Sequence, residues 1–270
     1  MSDPFNSRVI KDNWLNGSVF RHGRLQGCLV TSKNSGTHWI KYMLSVALAE
    51  TYCVPPPEYF SEAATQPYIG NPKNTSPFPA LPKLAFAHTI PHRLMDLPIM
   101  HKAFDLPPYV LQVRHPMQIL ASHFTKWNYE LQTDWETYLK GDPSGEHYRC
   151  DLFWLARFWN RWGDLRQKYK SKILLVRYED VQKDPASKLK EISDHWGIGL
   201  TDKAIEMAVA AGSKDAMAAK IDPKAEKNVL QNRKDDLKTL FSGEALQTYQ
   251  DIVGDYFRHD LGYDLLALPQ

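Results

Sequence analysis

Four short, nearly continuous apolar runs constrain this chain most: Gly27–Ser32 (GCLVTS), Leu84–Ala87, Tyr109–Val113 and Ile173–Arg177. Runs of this length without polar alternation are strands covered on both faces, the habit of a parallel sheet. Helical spacing fills the intervals. In Thr37–Thr51, the residues Trp39, Ile40, Met43, Leu44, Ala47 and Leu48 recur along one helix face. Pro116–Lys126 opens with proline in a first helical turn, and Asp151–Tyr169 carries Phe153, Trp154, Phe158, Trp159 and Trp162. Those aromatics are expected in the core rather than on a stacking platform. Pro185–Trp196 and Gly243–Phe257 supply two more helices. The alternation predicts an α/β fold, one domain over 1–270 with a central parallel sheet flanked by helices.

Two segments break the rhythm. Residues 51–83 are interrupted by prolines from Pro55 to Pro82, which predicts a surface excursion beside a substrate pocket. Residues 213–242 are polar and rich in both charges, which predicts a mobile flap over a ligand site. Composition narrows the partners. The hydrophobic fraction of 43% is ample for a core, and a net charge of +2 gives no general coat for nucleic acid. Cys28, Cys53 and Cys150 are far apart, with neither a metal-ligand spacing nor a disulfide frame. Met1–Lys11 has no apolar core of a secretory signal, and no run is long enough for a bilayer. A reducing, cytoplasmic setting is expected, without membrane or nucleic-acid partners.

The first chemical signal is Thr31-Ser32-Lys33-Asn34-Ser35-Gly36-Thr37-His38-Trp39, between a strand and a helix start. Backbone N–H groups at such a turn, aided by the helix dipole, hold anions. Ser35 and Thr37 add hydroxyls, Gly36 allows close approach, and Trp39 is placed to stack on a base. An ordinary Ser/Thr helix cap is the alternative at this point. The nucleoside-triphosphate loop GxxxxGK[ST] is absent, because Thr37 follows Gly36, and so is GxGxxG.

The same stretch resembles the 5′-phosphosulfate loop of sulfotransferases that use 3′-phosphoadenosine 5′-phosphosulfate (PAPS), Thr-Tyr-Pro-Lys-Ser-Gly-Thr-Thr-Trp. Thr31, Ser35, Gly36, Thr37 and Trp39 match, and His38 lies between them. Asn34 stands at the lysine position, which in the family contacts the leaving phosphate, and Lys33 stands one residue early. Either Lys33 reaches in, or Asn34 donates a neutral hydrogen bond and a cation comes from elsewhere. Tyr109–Phe124 resembles the family's 3′-phosphate element, with Arg114 at a strand end and Ser122 eight residues later. Arginine there offers a planar fork to a phosphate; a salt bridge to a carboxylate is the structural alternative. Leu175–Asp180 resembles the Tyr-Glu-Asp segment, making Tyr178 a contact for adenine or 3′-phosphate, while Glu179 and Asp180 brace locally. Arg233 and Lys234 resemble part of a C-terminal Arg-Lys-Gly clamp, without its glycine. Phe86-Ala87-His88-Thr89-Ile90-Pro91 resembles Lys-Thr-His-Leu-Pro, whose histidine is the general base; Phe86 takes the lysine's place.

The resemblance implies a PAPS-dependent sulfotransferase. Its product is the bisphosphate PAP, its acceptor a small molecule with a hydroxyl or amine. Transfer is direct and in line, without metal or covalent intermediate. His88 is the base, and Lys33 or Asn34 stabilises the leaving group. Residues 51–83, Trp127 and Tyr129 would read the acceptor. His92 is a rival base, and with His88 an i, i+4 pair interrupted by Pro91. A small-molecule kinase, or a PAP-binding protein without activity, are the alternatives. Oligomeric state stays open.

Overall fold

The structure, a computed structural model, describes residues 3–73, 76–222 and 236–269. Every predicted strand is present: β1 (Gly27–Thr31), β3 (Leu84–Ala87), β4 (Tyr109–Val113) and β5 (Ile173–Arg177), joined by a short edge strand β2 (Ile69–Gly70). All pairings are parallel, in the order β2-β3-β1-β4-β5. β1 is central, and every residue of β1 and β4 is buried.

Alternation along β1 divides the core. Cys28 and Val30 point to one face, where Leu155, Phe158, Trp159 and Trp162 of the helix Leu152–Lys168 cover the sheet. Leu29 points to the other, covered by Ile40, Met43, Leu44, Ala47 and Leu48 and by the helix Asp202–Ala211. The aromatic helix is thus core, as its pattern predicts.

Some elements escaped the sequence. A helix at Pro4–Leu15, capped by Asp3, precedes the sheet, and Tyr178–Lys183 is helical immediately after β5. The helix beginning at Pro116 continues to Leu131, five residues past the expected end at Lys126. Segment 51–83 is not wholly irregular. It carries a helical turn at Glu62–Thr65 and contributes β2 to the sheet. Of residues 213–242, Lys214–Ala218 and Leu237–Leu240 are helical, whereas the expected contacts Arg233 and Lys234 lie outside the described residues. Cys28, Cys53 and Cys150 are free thiols. Among the described residues, no helix is long and apolar enough to cross a membrane.

The topology sets the place of the site. β3 and β4 flank β1 on opposite sides, so the connections from the carboxyl ends of these strands diverge and leave a crevice, where open sheets bind ligands. The register aligns Val30 with Ala87, Thr31 with Gln112 and Val113 with Arg177. The loop after Thr31, then His88, Arg114 and Tyr178, therefore emerge side by side along one sheet edge.

Candidate active site

The loop after β1 folds as it does because its polar groups are satisfied inward. Ser35 donates its hydroxyl to the Ser32 carbonyl at 2.6 Å, and Gln112 Nε2 donates to the Ser35 carbonyl at 2.6 Å. Asn34 and Gly36 both adopt left-handed backbone, at φ 55° and 84°, a conformation open to Asn and Gly at low cost. Gly36 is also required by space: a Cβ there would lie 2.5 Å from the Tyr178 ring. Gly36 is the N-cap of the helix Thr37–Thr51 and provides no side-chain cap. The capping alternative therefore fails. The first-turn N–H groups are left without a side-chain acceptor, the condition for anion binding. Ser35, expected to offer its hydroxyl to a phosphate, spends it on Ser32 and can contribute only its backbone N–H.

Arg114 follows β4 directly. Its Nε donates to Gln118 Oε1 at 2.8 Å, and its guanidinium stacks 4.5 Å from the centre of the Tyr178 ring. One guanidinium nitrogen donates to the Asn34 carbonyl at 3.3 Å, which ties Arg114 to the loop after β1. No carboxylate pairs with it among the described residues. Glu179 instead accepts from the His115 N–H and the Tyr263 hydroxyl, and Asp180 pairs with Arg177; both brace locally. Trp39 lies edge-on to Tyr178 at 5.8 Å and donates to the Gly212 carbonyl. Thr37, Arg114, Ser122, Tyr178, His38 and Trp39 all line one cleft of about 1050 Å³. Loop and arginine share a single cavity.

His88 caps the opposite wall. Its Nδ1 is 2.8 Å from the Thr31 carbonyl and 3.0 Å from the Thr31 hydroxyl. A carbonyl only accepts, so Nδ1 carries the proton and Nε2 keeps the lone pair. The Thr31 hydroxyl is also 2.8 Å from the Thr37 hydroxyl, so one threonine links the start of the helix Thr37–Thr51 to the histidine. Burial pushes the His88 imidazole below its ordinary range, against the raising effect of the Thr31 carbonyl. It is therefore neutral at physiological pH, the state a base needs. His92 is not a rival. Its Nε2 donates to the Trp14 carbonyl at 2.9 Å, its Nδ1 accepts from the Leu94 N–H, and it lies outside the cleft.

Lys33 lines the cleft, but its ammonium donates to the Arg149 carbonyl and lies 4.5 Å from the centre of the Trp154 ring. Asn34 donates to His123 Nδ1 at 2.7 Å. His123 was not picked out from the sequence. It is buried in the cleft wall, and desolvation, helped by Lys33 and Lys126, pushes it down to about 4. Accepting at Nδ1, it holds its proton on Nε2. Its place directly after Ser122 was the only signal. Trp127 and Leu131 line the same cleft, as do Tyr148 and, from segment 51–83, Phe60 and Glu62. Tyr129 does not line it. A smaller cavity of about 290 Å³, lined by Asn71, Pro72 and Lys73, shares Phe86 and His88 with the main cleft.

Comparisons with known proteins bear on the family and the fold. The family described as Sulfotransferase domain matches residues 26–242. No curated protein matches the chain. Among solved structures, a mouse sulfotransferase complexed with PAP is 19% identical, with a TM-score of 0.54 over 96% of this chain and 94% of the other. Retinol dehydratase complexed with androsterone and inactive cofactor PAP is 14% identical, with a TM-score of 0.58 over 96% and 88%. A second retinol dehydratase structure, with retinol and PAP, is 15% identical at a TM-score of 0.53 over the same shares.

Proposed function

The chain belongs to the sulfotransferase domain family, and from that premise we propose that it transfers a sulfuryl group from PAPS to a hydroxyl or amine of a small molecule, with His88 as general base. The threonine tie between Thr37 and His88 supports this most strongly, because it sets a base beside the anion-binding helix start.

The residues fit such a donor. The uncapped first turn suits the 5′-phosphosulfate, and Arg114 with Ser122 suits the 3′-phosphate. Tyr178 and Trp39 offer ring faces to adenine. When bound, PAPS supplies an electrophilic sulfur, and forming the acceptor–sulfur bond breaks the sulfur–oxygen bond to the 5′-phosphate, whose electron pair leaves with PAP. His88 Nε2 takes the acceptor's proton. The Thr31 carbonyl fixes the tautomer that permits this and then supports the imidazolium. The Thr37 hydroxyl and the first-turn N–H groups hold the charge gathering on the leaving phosphate. Lys33, which lines the same cleft, would join them once its ammonium turned from the Arg149 carbonyl. The other arm of the cleft, with Trp127, Leu131 and Tyr148, suits an acceptor with apolar surface. Androsterone and retinol, bound in the retinol dehydratase structures, favour a small-molecule acceptor here as well.

Two measurements test the proposal. PAP should raise the melting temperature without Mg²⁺. Label from ³⁵S-PAPS should pass to some member of a mixed pool of alcohols, phenols and amines. PAP binding without any transfer would instead favour a nucleotide-binding protein that lacks the activity.

A further inference from the structure

One charge beside the site has no part in the transfer described above. Lys41 lies one turn after Thr37, on the side of its helix that faces the sheet. It is fully buried, and its Nζ has no hydrogen-bond partner. The ammonium lies 3.5 Å from the centre of the Phe86 ring. Helical side chains lean toward the N-terminus of their helix, so the lysine stem carries the charge back toward the turn that begins with Thr37. Phe86 in turn lines both cavities, together with His88. The ammonium thus sits behind the wall between the main cleft and the smaller cavity.

Stability does not explain a lysine there. A buried cation without an acceptor is costly, and contact with one ring recovers only part of the loss. Methionine would fill the same tunnel without that cost. A residue that breaks a local rule with no local gain points to function.

We propose that Lys41 is a positioning residue of the transfer site: a fixed positive charge, shielded from water behind Phe86, that adds to the field on His88 and favours the negative charge gathering on the leaving phosphate, without touching either substrate. It rests on the reading of His88 as the base. Charge acts further in such a wall than in water. Burial does most to push the His88 imidazole down, the Thr31 carbonyl supports its charged form, Lys33 and Lys41 add to the lowering, and Glu62, which lines the cleft, opposes it. His38, on the neighbouring turn, also feels Lys41, Glu62, Lys126 and His88. Burial brings the Lys41 ammonium itself down to about 8, against Glu62, so it keeps its proton at neutral pH.

The test compares the full chain with Lys41→Met and Lys41→Arg. For Lys41→Met, the melting temperature should stay level or rise, and PAP affinity by calorimetry should stay within about twofold, because the 3′-phosphate pole is untouched. The rate constant kcat should fall about tenfold or more at unchanged donor KM. In ¹⁵N-histidine spectra of the free protein, the resonance assigned to His88 should titrate at higher pH, and Lys41→Arg should restore the wild-type titration. An unchanged His88 titration in Lys41→Met overturns the proposal. So does a lower melting temperature or failure to fold, which would assign the ammonium to stability. If the wild type transfers no label to any acceptor, the enzymatic reading fails on its own, while the titration and the melting temperature still judge Lys41.

Discussion

The two ends of the cleft are built differently. In the proposed reading, the donor end is gripped by the backbone and by residues that directly follow strands: the uncapped turn at Gly36, Arg114 after β4 and Tyr178 after β5. At the transfer end, two positions where the family carries lysine hold Asn34 and Phe86. The charges and donors around them come from helices: His123 against Asn34, and Lys41 behind Phe86. On this proposal, parts fixed by chain geometry keep the family pattern, whereas parts fixed only by a side chain's reach are supplied from new directions.

Substitutions can break that contrast. The largest effect is expected from His88→Ala, which removes the base and should lower kcat by ~10²–10⁴ while PAP affinity by calorimetry stays near wild type. A fully active variant would move the base elsewhere. Arg114→Ala should cost about 1.5–3 kcal/mol of PAP binding, the worth of hydrogen bonds to a charged group, and unchanged affinity would detach the second pole from the nucleotide. Gly36→Ala forces a left-handed alanine against Tyr178 and should cost about 1–3 kcal/mol of stability in urea unfolding, with weaker PAP binding. Wild-type stability would mean that Tyr178 yields freely. Lys33→Ala should slow transfer more than Asn34→Ala, since only lysine can bring a charge to the leaving phosphate; the reverse ranking would make the Asn34–His123 pair the principal donor.

The smallest effect is in pH. Burial holds His88 below the ordinary histidine range, and a base works only when deprotonated. Activity should therefore stay level as pH falls through 6.5, the ordinary histidine value, and decline only below it. An acidic limb centred at or above that value would contradict the buried, neutral His88.

The same contrast governs what the sequence discloses. The runs GCLVT and YVLQV can be buried only between two layers, so the parallel sheet and the order loop, His88, Arg114, Tyr178 are legible without coordinates. Leu155, Phe158 and Trp162 fall on one face by periodicity alone. The short strand Ile69–Gly70 was hidden because two residues set no period, and the Pro4–Leu15 helix because its apolar stripe is weak. Lys41 and His123 were hidden for another reason. Each sits where a helix pattern expects an ordinary residue, and its meaning depends on what stands opposite, Phe86 or Asn34, which no local spacing specifies. Ser35 misled in the same way: a hydroxyl in an anion loop reads as a ligand, yet the fold turns it to the Ser32 carbonyl.

In the proposed function, a single bisphosphorylated nucleotide spans the Thr37 turn and Arg114, with His88 beyond its sulfur end. A crystal structure of the complex with PAP tests it most directly. The 5′-phosphate should lie within hydrogen-bond distance of the Thr37 hydroxyl and the first-turn N–H groups, and the 3′-phosphate on Arg114 and Ser122. A nucleotide lying elsewhere, or one that leaves Arg114 uncontacted, would contradict it.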